Sequence, residues 1–207
     1  MLRPLYVLGI AYAALCAFAI GATGVERAER TTGGTGGQER FVVSFTPSTD
    51  AGRWLATVRP FCNPVEVEVR LRELPPPTTA DGTAFAAACL ALAGRIDHAR
   101  QTIDALPAGS ARGAAAGVVF DIGHPVADAG DDAAAGPIMR LVIEYQPDNY
   151  MALYHAGMSE YALGHTGVAR DLLVRFRRIY TADDGWTASA REVLARIDGA
   201  DRRAATR

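Results

Sequence analysis

The chain contains no lysine: all of its basic side chains are arginine. With 21 basic and 23 acidic side chains in 207 residues, it also lacks a charge excess of either sign. No stripe of basic residues with interleaved aromatics runs along it, so nucleic acid is not an expected partner. Beside the heavy load of alanine and glycine, the missing lysine reads as genome composition rather than a functional choice. The glycine-rich stretch at residues 31–37 has no lysine after it and no strand and helix around it, which excludes a phosphate-binding loop. Cysteine is scarce. Cys16 is preceded by Leu15 rather than a small residue and does not read as a lipoprotein cysteine. Cys62 and Cys89 are left with two readings, a disulfide if the body is exported or two buried thiols.

Charge is also absent from residues 5–23, a run of 19 residues. As a helix it would span about 28 Å, close to the thickness of a bilayer core. Arg3 precedes it, and Glu26, Arg27, Glu29 and Arg30 come after it and cancel. The positive-inside bias places the N-terminus in the cytoplasm and exports the rest of the chain. Two readings share that outcome: an uncleaved anchor, which the length of the run favours, and a signal peptide cleaved near Ala22. The expected organisation is a membrane segment at 1–23, a flexible linker and extended arm at 24–47, a helical domain at 48–199, and a frayed tail at 200–207. The length allows one domain with a substantial core.

What the chain does have is a repeat. Gly123, Gly130, Ala135, Met139 and Val142 recur 34 positions later as Gly157, Gly164, Ala169, Leu173 and Phe176. A fainter copy runs through residues 84–106, with Ala86, Ala87, Leu90, Gly94, Ala99, Ile103 and Leu106, where the strict period slips. A 34-residue period with this order of small and large residues predicts stacked helix–turn–helix units. Leu153, Ala156-Gly157, Tyr161, Gly164, Ala169, Leu173 and Phe176, with Pro147-Asp148-Asn149 ahead of them, resemble one tetratricopeptide repeat and its junction. The resemblance covers residues 81–180, about half the chain. It implies an all-α, short tetratricopeptide-like solenoid of antiparallel helix pairs.

Small residues at 156, 157 and 169 predict a close approach of the two helices in a unit, and Gly164 predicts a left-handed helix end. A last helix over residues 185–198 carries Trp186, Val193, Leu194 and Ile197 on one side and Arg191, Glu192 and Arg196 on the other. It is expected to cap the stack and to stop at Asp198-Gly199. Pro125, inside the first helix of the middle unit, predicts a kink or break costing about 3 kcal/mol. Pro137 is tolerable if its helix begins close by. Ser48-Thr49-Asp50 suits a helix cap. Residues 65–74 alternate as a strand would, yet Asn63-Pro64-Val65-Glu66 is a helix start. Next to helix pairs, residues 53–61 and 64–74 are expected to form another antiparallel pair.

The densest polar cluster is Asp121, His124, Asp128, Asp131 and Asp132. His124 and Asp128 are four apart, a spacing suited to metal ligation or an acid–base pair on one helix face. Pro125 argues against that geometry, aspartates near Gly130 suit a turn and cap, and no second histidine motif completes a site. His98, His155 and His165 read as isolated packing or surface residues. The expectation is a chain without catalytic residues, metal or cofactor. The resemblance implies instead that the first helix of each unit lines a concave groove for an extended peptide or a partner helix. That lining would be Phe120, His124, Met151, Tyr154, Met158 and Tyr161, an adaptable apolar set with polar tips. Core packing is the competing reading of the same residues. Arg170, Arg175, Arg177 and Arg178 would steer an acidic partner or simply solvate a helix. With so few units, a homodimer that extends the stack is a further expectation.

Overall fold

The computed structural model describes residues 49–206. The expected membrane segment at 5–23 and the linker before residue 48 lie outside them. Among the described residues the regular structure is entirely helical, and no helix is long and apolar enough to cross a membrane. Within them nine α-helices run in chain order: α1 Asp50–Val58, α2 Val67–Glu73, α3 Ala80–Leu92, α4 Ile96–Asp104, α5 Ser110–Asp128, α6 Asp132–Tyr145, α7 Tyr150–Ala162, α8 Thr166–Ile179 and α9 Gly185–Ala205. A 3-10 turn, Arg59–Phe61, comes directly after α1.

Consecutive helices from α5 to α8 pack on one another, and α3 packs on both α4 and α5. The same junction occurs three times. Gly94, Gly130 and Gly164 have φ of 71°, 76° and 83°. In each case the next residue donates its backbone N–H to the carbonyl five positions back: Arg95 to Leu90, Asp131 to Val126 and His165 to Glu160. This closure satisfies carbonyls at the end of one helix and turns the chain directly into the next. Only glycine holds that φ without steric cost. Gly94 stands 36 rather than 34 positions before Gly130, because α5 is longer than α7 by slightly more than α4 is shorter than α6.

The repeated glycines at 123 and 157 serve close approach. A Cβ on Gly157 would lie 2.7 Å from Leu173 Cγ, and one on Gly123 would lie 2.6 Å from Ile138 Cγ2. So α7 meets α8, and α5 meets α6, at corresponding points with a register difference of one residue. Leu173, Phe176, Met139, Val142 and Leu153 fill the core with no exposed surface. Side chains close the helix starts: Thr49, Thr79, Asp131 and Asn149 each accept from a backbone N–H of the first turn.

Four expectations need correction. Pro125 does not break α5, which runs on to Asp128. The carbonyl that loses its intrahelical donor is that of Asp121, and both residues face solvent, where the cost of that loss is smallest. Pro137 is likewise tolerated within α6, which begins at Asp132, with Pro137 and Ala133 both exposed. The last helix does not stop at Asp198-Gly199 but continues to Ala205, since the arginine- and alanine-rich segment favours helix and Arg170 holds Asp198 at 3.0 Å. Finally, α1 and α2 are helices but each packs chiefly on α3 rather than on the other. Trp54 Nε1 donates to the Leu74 carbonyl at 2.9 Å, which ties the end of α2 back to α1. The strand reading of residues 65–74 is thereby excluded. Asn63 does act as the expected cap, accepting from Val65 and Glu66, while the helix proper begins at Val67.

Cys62 and Cys89 are joined by a disulfide with Cα atoms 4.9 Å apart. It pins the turn after α1 to the last turn of α3.

Candidate functional site

The last two turns of α5 present Phe120, His124 and Asp128 at steps of four, which places them in a row along one helix face. The Phe120 and His124 rings stack at 4.9 Å between centroids. The His124 Nε2 lies 3.6 Å from an Asp128 carboxylate oxygen. Pro125, expected to spoil this pairing, leaves it in place because the helix stays continuous.

On α7, Met151, Tyr154, His155, Met158 and Tyr161 keep a three-four spacing on the side that reaches α5 and α9. Tyr154 is wedged among aromatic rings, 4.7 Å from Trp186 and 5.2 Å from Phe176. Tyr161 and Glu192 beside Arg196 hold that guanidinium above its ordinary pKa. All six residues expected to line a groove, Phe120, His124, Met151, Tyr154, Met158 and Tyr161, are half-buried. Beside them a shallow hollow of about 430 Å³ is lined by Tyr154, Asp184, Gly185, Trp186 and Ser189.

The residue that sequence reasoning passed over is His155. It is buried, with 7% of its surface exposed, and its Nε2 meets the Nε2 of His124 at 2.8 Å. The same Asp128 oxygen stands 3.9 Å away. Trp186 packs edge-on against the ring at 5.4 Å. Burial first, and then His124, push the His155 pKa down to about 4, while Asp128 and Asp132 act in the opposite direction. At neutral pH this imidazole is therefore uncharged. A signal for the meeting was present in the spacing. His155 lies 31 positions after His124, one helical turn short of the 34-residue repeat, so both histidines sit on first helices of neighbouring units.

The other acidic residues divide. Asp131 caps α6 by accepting from Ala134 N–H at 3.2 Å, and Asp132 accepts from the Ser159 hydroxyl at 2.9 Å. Asp121 is exposed one turn before His124. The remaining histidines stay apart from the site: His165 pairs with the buried Glu160 at 2.7 Å, and His98 faces Glu68 at 3.9 Å. Of the four arginines on α8, Arg170 is engaged by Asp198, and Arg175 by the Pro147 carbonyl. Among the described residues, His124, Asp128 and His155 form the one set of three or more potential metal ligands, with donor atoms within 4.8 Å of each other.

Models of known protein families, characterised proteins and solved structures offer no match to this chain.

Proposed function

We propose that this chain is a non-catalytic, tetratricopeptide-like adaptor, held at a membrane by residues 5–23, whose exported helical body binds a segment of a protein partner. The observation that carries this reading is the state of the six side chains on α5 and α7. None is closed into the core, and each keeps part of its surface in solvent. An apolar set with polar tips, left half-open on rigid helices, suits adaptable contact with a peptide or a partner helix. The three equivalent glycine junctions support the repeat architecture on which the reading depends. The Cys62–Cys89 disulfide supports an oxidising compartment for the body.

A photoreactive side chain at Met151 or Met158 of the full-length protein in its native membrane tests the reading. The control position is Val174, exposed on α8. Adducts to a discrete protein from the first two positions and not from Val174 are the expected outcome. Equal labelling at all three, or none, would overturn it. Tyr154→Ala is the poorer probe, because Tyr154 also packs against Phe176 and Trp186.

A further inference from the structure

We propose that His124, Asp128 and His155 bind one divalent transition-metal ion, with zinc the best fit, through the two Nε2 atoms and one carboxylate oxygen. The donor atoms are already arranged for it. Their separations are 2.8, 3.6 and 3.9 Å. A tetrahedral ion with bonds of about 2.1 Å needs ligand atoms about 3.4 Å apart, close to the mean of the three. Only the two imidazole nitrogens stand too near, by about 0.6 Å on that geometry. His124 is the less buried of the pair, and a small rotation of its ring opens the gap.

The donor chemistry selects the ion. Two imidazoles with one carboxylate suit zinc, nickel, copper or iron, whereas calcium and magnesium require mostly oxygen. Asp128 is the last residue of α5, where the negative end of the helix dipole disfavours a carboxylate. A cation beside it removes that conflict. Asp132 adds negative charge near His155. Phe120, Tyr154 and Trp186 wall the two rings on the apolar side, and Asp128, with 56% of its side chain exposed, leaves the fourth position open to water. Because α5 supplies two ligands and α7 the third, a bound ion would join two helices that are not consecutive in the chain.

In the absence of metal, a hydrogen bond between the two imidazoles satisfies both nitrogens, and that arrangement alone would respond to no ion. The full-length protein, stripped with a chelator, is therefore titrated with Zn²⁺ by calorimetry and with Co²⁺ by visible absorption. The expected result is one ion per chain, a rise in Tm with Zn²⁺, and the absorption bands of tetrahedral Co²⁺. Loss of a second-sphere group typically costs ten- to a hundredfold in metal affinity, so His124→Gln and Asp128→Asn should each weaken binding by at least about tenfold. Asp128→Asn alters an exposed side chain and keeps the fold. His98→Gln should leave binding unchanged. Absence of both Zn²⁺ stabilisation and Co²⁺ bands would overturn the proposal, as would binding that survives His124→Gln and Asp128→Asn or depends on His98.

Discussion

Replacing Gly157 by alanine sets two effects of opposite sign against each other. Alanine favours the helical backbone over glycine by about 1 kcal/mol. The added methyl, however, would sit 2.7 Å from Leu173 Cγ and 2.8 Å from its Cδ2. Cγ is a branch carbon, and Leu173 is fully buried, so it cannot swing aside as a flexible tip would. Either α7 moves away from α8 or Leu173 leaves its rotamer, and overpacking of this kind costs about 1–3 kcal/mol. With contact this close the upper part of that range applies, leaving a net destabilisation of about 1–2 kcal/mol. Gly113 is the internal control. It also lies within a helix, but an added Cβ there has nothing within 4 Å, so Gly113→Ala should gain about 0.5–1 kcal/mol. Urea melts of the two variants should therefore shift in opposite directions at unchanged m-value, and Tm should fall by roughly 3–6 °C for Gly157→Ala. If both shift the same way, α7 and α8 do not meet closely at Gly157, and the role of the repeat glycines in helix approach fails.

The disulfide and the cap of α9 give two further expectations. Cys62 and Cys89 are 27 positions apart, and the chain-entropy estimate for a loop of that size is about 3.5 kcal/mol, so Cys62→Ser with Cys89→Ser should lower stability by roughly 2–4 kcal/mol. Denaturant melts check this, and no change would mean that the bridge is not formed. Asp184 closes α9 through a reciprocal cap with Thr187, and the Tyr180 hydroxyl first, then backbone N–H groups, hold its carboxyl below the ordinary 3.8. A lowered carboxylate pKa stabilises the fold fully well above that ordinary value, and this stabilisation disappears as pH falls through the lowered one. Thermal melts between neutral and strongly acidic pH should show a shallower acid loss in Asp184→Asn than in the parent; identical slopes would remove Asp184 from the pH response.

Much of this helical organisation was legible because small residues at helix contacts leave a periodic trace. Gly123 and Gly157 announce close approach, Gly130 and Gly164 announce the turns, and all four recur at one spacing. Local rules failed where solvent or tertiary contacts decide. Pro125 and Gly199 are helix breakers by propensity. Yet the bond that Pro125 forgoes lies on a wet face, and Gly199 sits within a helix held by Arg170 and Asp198. Residues 65–74 mislead by period, since their alternation fits a strand while Asn63 sets a helix start. The meeting of His124 with His155 was hidden for another reason: each histidine taken alone looks isolated. Only the repeat, which sets α7 beside α5, brings them within reach of each other.

The composition of α3 has a consequence for the order in which the chain is made. Every residue from Ala84 to Ala91 is buried, yet most of that length is alanine. The helices that cover it include α4, α5 and α6, all of which are synthesised later. A growing chain must therefore carry the faces of this helix that α1 and α2 do not cover exposed for a time, when apolar surface invites wrong association. Alanine shows little more than one methyl group per residue to water, about 0.8 kcal/mol of hydrophobic drive against roughly 1.5–3 for leucine or isoleucine. The helix with the fewest wet faces in the finished fold is thus also one of the least adhesive while it waits for its neighbours.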